Sequence, residues 1–380
     1  MRFAALPLLS AFLLHSTIQV AAVTAMTTVP WLLLGLPAGA WADRVDRVRM
    51  MISADVLRAG ALAVLVALLA AGHLGLWPLL LVAALLGVGE VLFDCASFAV
   101  LPAITPADRL VSANGRLFTT QTISRDLLGQ LVGGVLYQVG RAVPLIIDAL
   151  SFAVSALLLT RLPAQRAERP VGRTTLRADI VAGIRHIRDD RLLTALTIAG
   201  GVINAVYLGQ VAILVVFVRD VLKLGPTGYA AVLATGAVGG VVGGLVANKL
   251  VGYLGRRVTL LGGLGLVALA GLGATLAHTA TTVVGYFAMG FGLMMWNVVA
   301  VSLRQSVTPA HLLGRITGAY RLLSWGTMPL GAMLFGAMAT AWGTPRAFAG
   351  GVVLIVLLGL SLAPVVCRDA RLAGQEGDDG

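Results

Sequence analysis

The chain has 380 residues, of which 58% are hydrophobic and only 12% charged, and its mean hydropathy is +0.92. A soluble domain needs more polar surface than that, so the composition excludes one and points to a polytopic helical membrane protein. The net charge of +11 comes almost wholly from arginine, but no basic aromatic module accompanies it, so no nucleic-acid partner is expected.

Taken in order, the apolar runs cover 3–14, 17–42, 50–71, 76–101, 113–138, 143–162, 192–218, 228–253, 258–277, 281–303, 313–341 and 345–366. They do not alternate apolar with polar, which excludes a membrane barrel. Twelve runs predict twelve transmembrane helices, the first of them short. If the first begins in the cytoplasm, one side collects Arg44, Arg47, Arg49, Arg109, Arg116, the 161–191 loop, Lys249, Arg256, Arg257, Arg304, Arg315, Arg368 and Arg371. The other side holds Arg141, Arg219, Lys223 and Arg346. This bias predicts that both termini are cytoplasmic. The 163–191 linker carries Leu176, Ile180, Ile184 and Ile187 at helical spacing, which predicts an amphipathic helix along the inner membrane surface, its arginines toward anionic lipid. Cys95 and Cys367 give neither a disulfide framework nor metal-ligand spacing.

The chain repeats itself. GAWADR (39–44) matches GLVANK (244–249), and TPADRLVSANG (105–115) matches TPAHLLGRITG (308–318), both pairs about 204 residues apart. The expected fold is therefore an all-α polytopic membrane protein of two six-helix pseudo-symmetric halves. Its divisions are an N-terminal half (1–162), the basic linker (163–191), a C-terminal half (192–366) and a cytoplasmic tail (367–380). The repeat also serves as a ruler. Measured against the seventh helix, the first lacks about a dozen residues. A start assigned too late accounts for this. A cleaved signal peptide beginning Met1-Arg2 is the rival account.

GAWADRVDRVR (39–49) resembles the loop motif between the second and third helices of the major facilitator superfamily, with Gly39, Asp43, Arg44, Arg47 and Arg49 in place and Asp46 where glycine is usual. The stretches GVGEVLFDCASFAVLPAITP, LIIDALSFAVSALLLTRLP and NVVAVSLRQSVTPAHLLGRITGAYRLLSWGTMPLG look like the enterobactin-exporter and macrolide-efflux branch. The resemblance implies a gate. Asp43 would meet the start of the eleventh helix near Leu313 and Gly314, and Arg44 or Arg47 would pair with Asp94. A solvated loop that merely sets orientation is the plainer account.

Ionisable residues inside spans are costly and suggest function. Asp55, Arg58, Glu90, Asp94, Arg125, Asp126 and Asp148 all lie in the first half. The second half offers Arg304, Arg315 and Arg321 and no mid-span carboxylate. Asp55 and Arg58 are three apart and suited to pair with each other. Glu90 and Asp94 share a helix face, and one of them with Arg125 and Asp126 makes a proton-coupling set, or else a fixed ion network. GQLVGG (129–134) carries Gln130 where exporters of the superfamily often have proline. It and GAVGGVVGG (236–244) are helix-packing faces. Candidates to line a substrate cavity are Thr27, Thr28, Asn204, Tyr207, Gln210, Trp296, Asn297, Tyr320 and Arg321. Polar bonding between helices is the alternative for each.

The reading is a secondary transporter of the bacterial inner membrane. It exports a drug-like molecule, siderophore or other secondary metabolite by proton antiport, with no cofactor beyond the proton gradient and no ATP-binding motif. The partners are a small-molecule substrate and membrane lipid, and the protein is a monomer. Two alternatives stand beside it: a proton-coupled nutrient importer, and a transport-inactive membrane protein that binds a partner through the linker.

Overall fold

The computed structural model of the chain describes residues 1–42, 45–104, 120, 122–163, 176–308 and 312–369. Every regular element among them is helical. In order they are α1 (Arg2–Leu13), α2 (Thr17–Ala42), α3 (Arg47–Ala70), α4 (Leu76–Ile104), and a π-helical stretch Thr122–Leu128 that runs into α5 (Gly129–Val139). There follow α6 (Val143–Leu159), α7 (Leu176–Asp189), α8 (Arg191–Asp220), α9 (Pro226–Thr275), α10 (Thr279–Val307), α11 (Leu313–Trp325), α12 (Met328–Trp342) and α13 (Thr344–Arg368).

Eight of these helical stretches are long and apolar enough to cross a bilayer, with α11 and α12 counted together as Ile316–Trp342. The 50-residue α9 would run about 75 Å if straight, more than twice a hydrocarbon core of about 30 Å. It breaks at Gly255, whose φ of 75° and ψ of 163° lie outside the helical region. Its arms, 226–254 and 256–275, are two spans. With the shorter α1 and α6, and the π-stretch continued by α5, the described residues supply a helix for each of the twelve predicted apolar runs.

The chain divides into two compact units, Met1–Leu176 and Arg177–Gly380. In the first, α4 is the central packing element, set against α2 and α3. A Cβ at Gly87 would lie 2.9 Å from Pro30 Cγ on α2, and one at Gly89 would lie 3.0 Å from the Ala54 carbonyl on α3, so these glycines permit the close approach. Ala38, Met50, Met51, Val91, Ala96 and Val100 form an apolar cluster among these helices. The GQLVGG stretch packs α5 on α1, where a Cβ at Gly133 would lie 2.8 Å from the Met1 carbonyl oxygen.

In the second unit, GAVGGVVGG is a packing face. Gly236, Gly239, Gly243 and Gly244 abut Tyr286, Phe287, Phe291 and Met294 of α10. Phe217 of α8 meets Phe348 of α13 edge to face at 5.1 Å. Helix α7 belongs to this unit. Ile187 is buried with Leu193, Ile316, Ala319 and Tyr320, and Ile184 packs beside it. At Ile184 and Ile187, two of the four stripe positions, the apolar face meets protein of this unit, while the Leu176 side chain lies outside the described residues. The join to α8 is fixed by Asp190, whose carboxylate accepts from the N–H groups of Leu192 and Leu193 at 2.8 and 3.0 Å.

Candidate functional site

Buried charge in the first unit gathers where α1, α3, α4 and α6 meet. Helix α3 brings Asp55 and Arg58, α4 brings Glu90, α6 brings Asp148 and α1 brings Arg2. Arg2, Asp55, Arg58 and Glu90 are all buried. Asp55 and Arg58 are ion-paired one helical turn apart, as their spacing predicts. Arg2 Nη2 donates to Glu90 Oε2 at 2.6 Å, across 88 positions of sequence. The backbone N–H of Arg2 donates to Asp148 Oδ2 at 3.0 Å, which brings the third carboxylate to the same place.

Aromatic rings complete the setting. The Arg58 guanidinium lies 4.6 Å from the Phe93 ring centre and 4.3 Å from that of Phe152, and Arg2 lies 5.6 Å from the same Phe152 ring. Cations against ring faces recover part of their lost hydration. The rings also exclude water, so each pair attracts strongly and is costly to separate. The described cluster can do one kind of chemistry. A proton arriving on Glu90 would leave Arg2 charged and buried without its partner, which is costly unless the helices move.

Glu90 is thus a site residue whose described partner is Arg2. Arg125 and Asp126 sit on the π-helical stretch, a backbone feature common at functional places; their side chains, and so the expected Glu90–Arg125 pairing, lie outside the described residues. Asp94 is half-buried on the same helix. Of the gating motif, Gly39 falls on the backbone of α2, and Asp43 and Arg44 lie outside the described residues. Arg47 opens α3 half-buried, and Arg49 is exposed. Asp46 caps α3, its Oδ1 accepting from the Arg49 N–H at 3.1 Å.

The cavity candidates part company. Asn204 donates to Ser324 Oγ at 2.9 Å, joining α8 to α11. Tyr320 stands one turn before Ser324, and a Cβ at Gly200 would lie 2.5 Å from its hydroxyl. Gln210 is 1% exposed, and its amide nitrogen would lie 3.0 and 2.8 Å from a Cβ at Gly271 and Gly351 respectively. Tyr207 is half-buried, while Asn297 and Arg321 are exposed. Trp296 is buried in the core of its own unit, where its backbone N–H lies 3.3 Å from a Cβ placed at Gly263. Sequence reasoning passed over Arg2, Phe93, Phe152 and Ser324. Arg2 stands just ahead of the predicted 3–14 run, and only the helix that starts at Arg2 brings it among the spans.

Apolar helices in two units, eight of the stretches long enough to cross a bilayer, with ion pairs buried among those of one unit, define a polytopic helical membrane protein. The family model of the Major Facilitator Superfamily matches residues 1–332, and the chain belongs to that superfamily: it is a transporter and not an enzyme. Over 367 residues it is 26% identical to the multidrug efflux pump Tap of Mycolicibacterium fortuitum, covering 90% of this chain and 85% of the relative. It is 24% identical over 357 residues to macrolide efflux protein A of Streptococcus pyogenes, covering 90% and 86%. Its fold is similar to the crystal structure of a bacterial homologue of the human lysosomal transporter Spinster, with a TM-score of 0.73, 16% identity and coverage of 94% and 92% of the two chains.

Proposed function

We propose that the protein exports a partly apolar, drug-like small molecule, siderophore or secondary metabolite from a bacterial cell. In this reading it works by alternating access in the inner membrane, as a monomer with both termini in the cytoplasm, and is driven by proton antiport. The observation that carries export is the likeness, over nine-tenths of the chain, to two proteins named as efflux pumps. Antiport rests on Glu90, a buried carboxylate held by Arg2 at 2.6 Å. Ionised Glu90 fixes α4 to α1; protonated, it frees Arg2 and favours another arrangement of the helices. Asp94, Arg125 and Asp126 are the further members of the coupling set, and Gly39, Asp43, Arg44, Arg47 and Arg49 bias the gate.

The test is proton release from acid-loaded inverted vesicles on addition of macrolides, siderophores or dyes. Dissipation of the pH gradient by one compound class, lost in Glu90→Gln, is the expected result. Proton entry that accompanies uptake into whole cells would turn the reading into nutrient import. Transport that survives Glu90→Gln unchanged would remove Glu90 from the coupling set.

A further inference from the structure

The buried arginines of the first unit each have an acid: Arg2 has Glu90 and Arg58 has Asp55. Arg304, in the last turn of α10, is 9% exposed and has no acid among the described residues. Its guanidinium lies over the Tyr320 ring at 3.9 Å, and its Nε–H has no hydrogen-bond partner among the described residues. Four residues on, the Thr308 hydroxyl is buried and also unpartnered among them. Arg321 follows Tyr320 on α11, and its guanidinium is 5.2 Å from the Trp325 ring. Arg304 thus offers a buried cation with an unused N–H, and Thr308 an unused hydroxyl one turn on, with no anion among the described residues to meet them. The C-terminal end of a helix favours a cation, but that effect is small against the cost of burial.

We propose that this end of the second unit binds the oxyanion head, phosphate or carboxylate, of an amphiphile. Arg304 and Arg321 grip the head, the Thr308 hydroxyl donates to it, and Tyr320 holds the Arg304 guanidinium in place. An anion suits both guanidinium forks. An apolar tail suits the surroundings, because Val307, Leu312 and Ile316 lie beside Tyr320 and Leu323 is partly exposed one turn further along. Tyr320 is fixed from two other sides, by Gly200 of α8 at its hydroxyl and by Ile187 of α7 at its flank. The head could come from a transported molecule or from a membrane lipid, and the chemistry of the site is the same for both. The inference does not depend on the direction of transport or on proton coupling.

The full chain in phosphatidylcholine nanodiscs, titrated with octyl phosphate below its micellar concentration and corrected with empty discs, provides the test. Saturable binding is expected, with octyl glucoside failing to compete. Affinity should fall at least about tenfold in Arg304→Gln and in Arg321→Gln, and less in Arg304→Lys. Arg321 is exposed, so its variant keeps the test informative if Arg304→Gln does not fold. Repeating the titration with phosphatidylglycerol discs separates the sources. Lost octyl phosphate binding there assigns the site to a lipid head, and unchanged binding assigns it to a mobile anion. Absence of saturable binding in phosphatidylcholine, or equal affinity in the parent and Arg321→Gln, would overturn the proposal.

Discussion

The two halves share a helix order and differ in what they bury. The first unit seals the Arg2–Glu90 and Asp55–Arg58 ion pairs among its spans. The second buries neutral polar groups, among them Gln210, Ser324 and the Tyr229 and Tyr286 hydroxyls, with Arg304 as its buried charge among the described residues. Helix packing in both halves depends on small residues and apolar faces, which leaves their interior chemistry free to differ. Among the described residues, buried ion pairs are therefore a feature of the first unit, and the second is held by neutral polar and apolar contacts.

The largest effect should follow from breaking a pair in the first unit. Glu90→Ala leaves Arg2 buried and unpaired and is expected to lower stability by about 3–5 kcal/mol, read as a fall in the thermal unfolding midpoint of the purified protein. The double replacement Arg2→Met with Glu90→Met should recover most of that loss, because it removes both desolvation penalties together. Proton release should stay absent in the double variant. Recovery of both properties would show that the pair only holds α1 to α4.

A glycine substitution sharpens the comparison next. An alanine Cβ at Gly89 would lie 2.6 Å from Arg58 Cγ, so Gly89→Ala must displace a side chain that is buried and ion-paired. A cost of about 1–3 kcal/mol is expected. At Gly252, in the second unit, a Cβ would meet nothing within 4 Å. Gly252→Ala should therefore stabilise its helix by about 0.5–1 kcal/mol. Equal shifts in the two unfolding midpoints would contradict the packing described for α3 and α4.

Much of this was legible in the chain. Apolar runs and the loop repeat reveal twelve spans, because span length is set by the bilayer and not by tertiary contact. GAVGGVVGG reads as a packing face for the same local reason, and Asp55 and Arg58 pair because three residues make one turn. Arg2 with Glu90 could not be paired by spacing, since 88 positions separate them and only the fold joins them. Trp296 carries a polar nitrogen yet is buried in its own unit, and amphipathic periodicity in α7 shows that one face is apolar without saying whether lipid or protein covers it. The alternatives for such positions differ only in tertiary context.

The corners between spans offer a smaller test. In the first unit, Asp46 turns the chain by capping α3, with φ −64° and ψ 115°. In the second, Gly255 breaks α9 with a positive φ. Asp46→Ala should cost about 1 kcal/mol, while Asp46→Gly, which restores the residue usual in the superfamily motif, should cost only about a few tenths. Gly255→Ala forces a Cβ into the left-handed half of the map, at about 1–2 kcal/mol. Chemical denaturation of the three variants in one detergent would rank them. An Asp46→Gly loss as large as that of Asp46→Ala would mean that the cap's hydrogen bond, and not backbone freedom, shapes this corner.

The smallest expected change in stability is also the one that best separates structure from function in the second unit. Gln210 is 1% exposed, and its side-chain oxygen has no hydrogen-bond partner among the described residues. A buried acceptor left unmade is a liability. Met has a similar volume and no such acceptor, so Gln210→Met should leave the unfolding midpoint unchanged or raise stability by up to about 1 kcal/mol. If the amide serves only to join α8 to α9 and α13, transport should follow stability and persist. If the amide meets the substrate, apparent affinity should fall while stability holds or rises, which is the signature of a group retained for function at a structural cost. Gln210→Glu extends the argument. It introduces into the second unit the kind of buried carboxylate that the first unit keeps paired, and no buried cation lies beside it among the described residues. Gln210→Glu should therefore destabilise at neutral pH and recover as pH falls, because burial raises a carboxyl's pKa and the neutral acid is the form that fits.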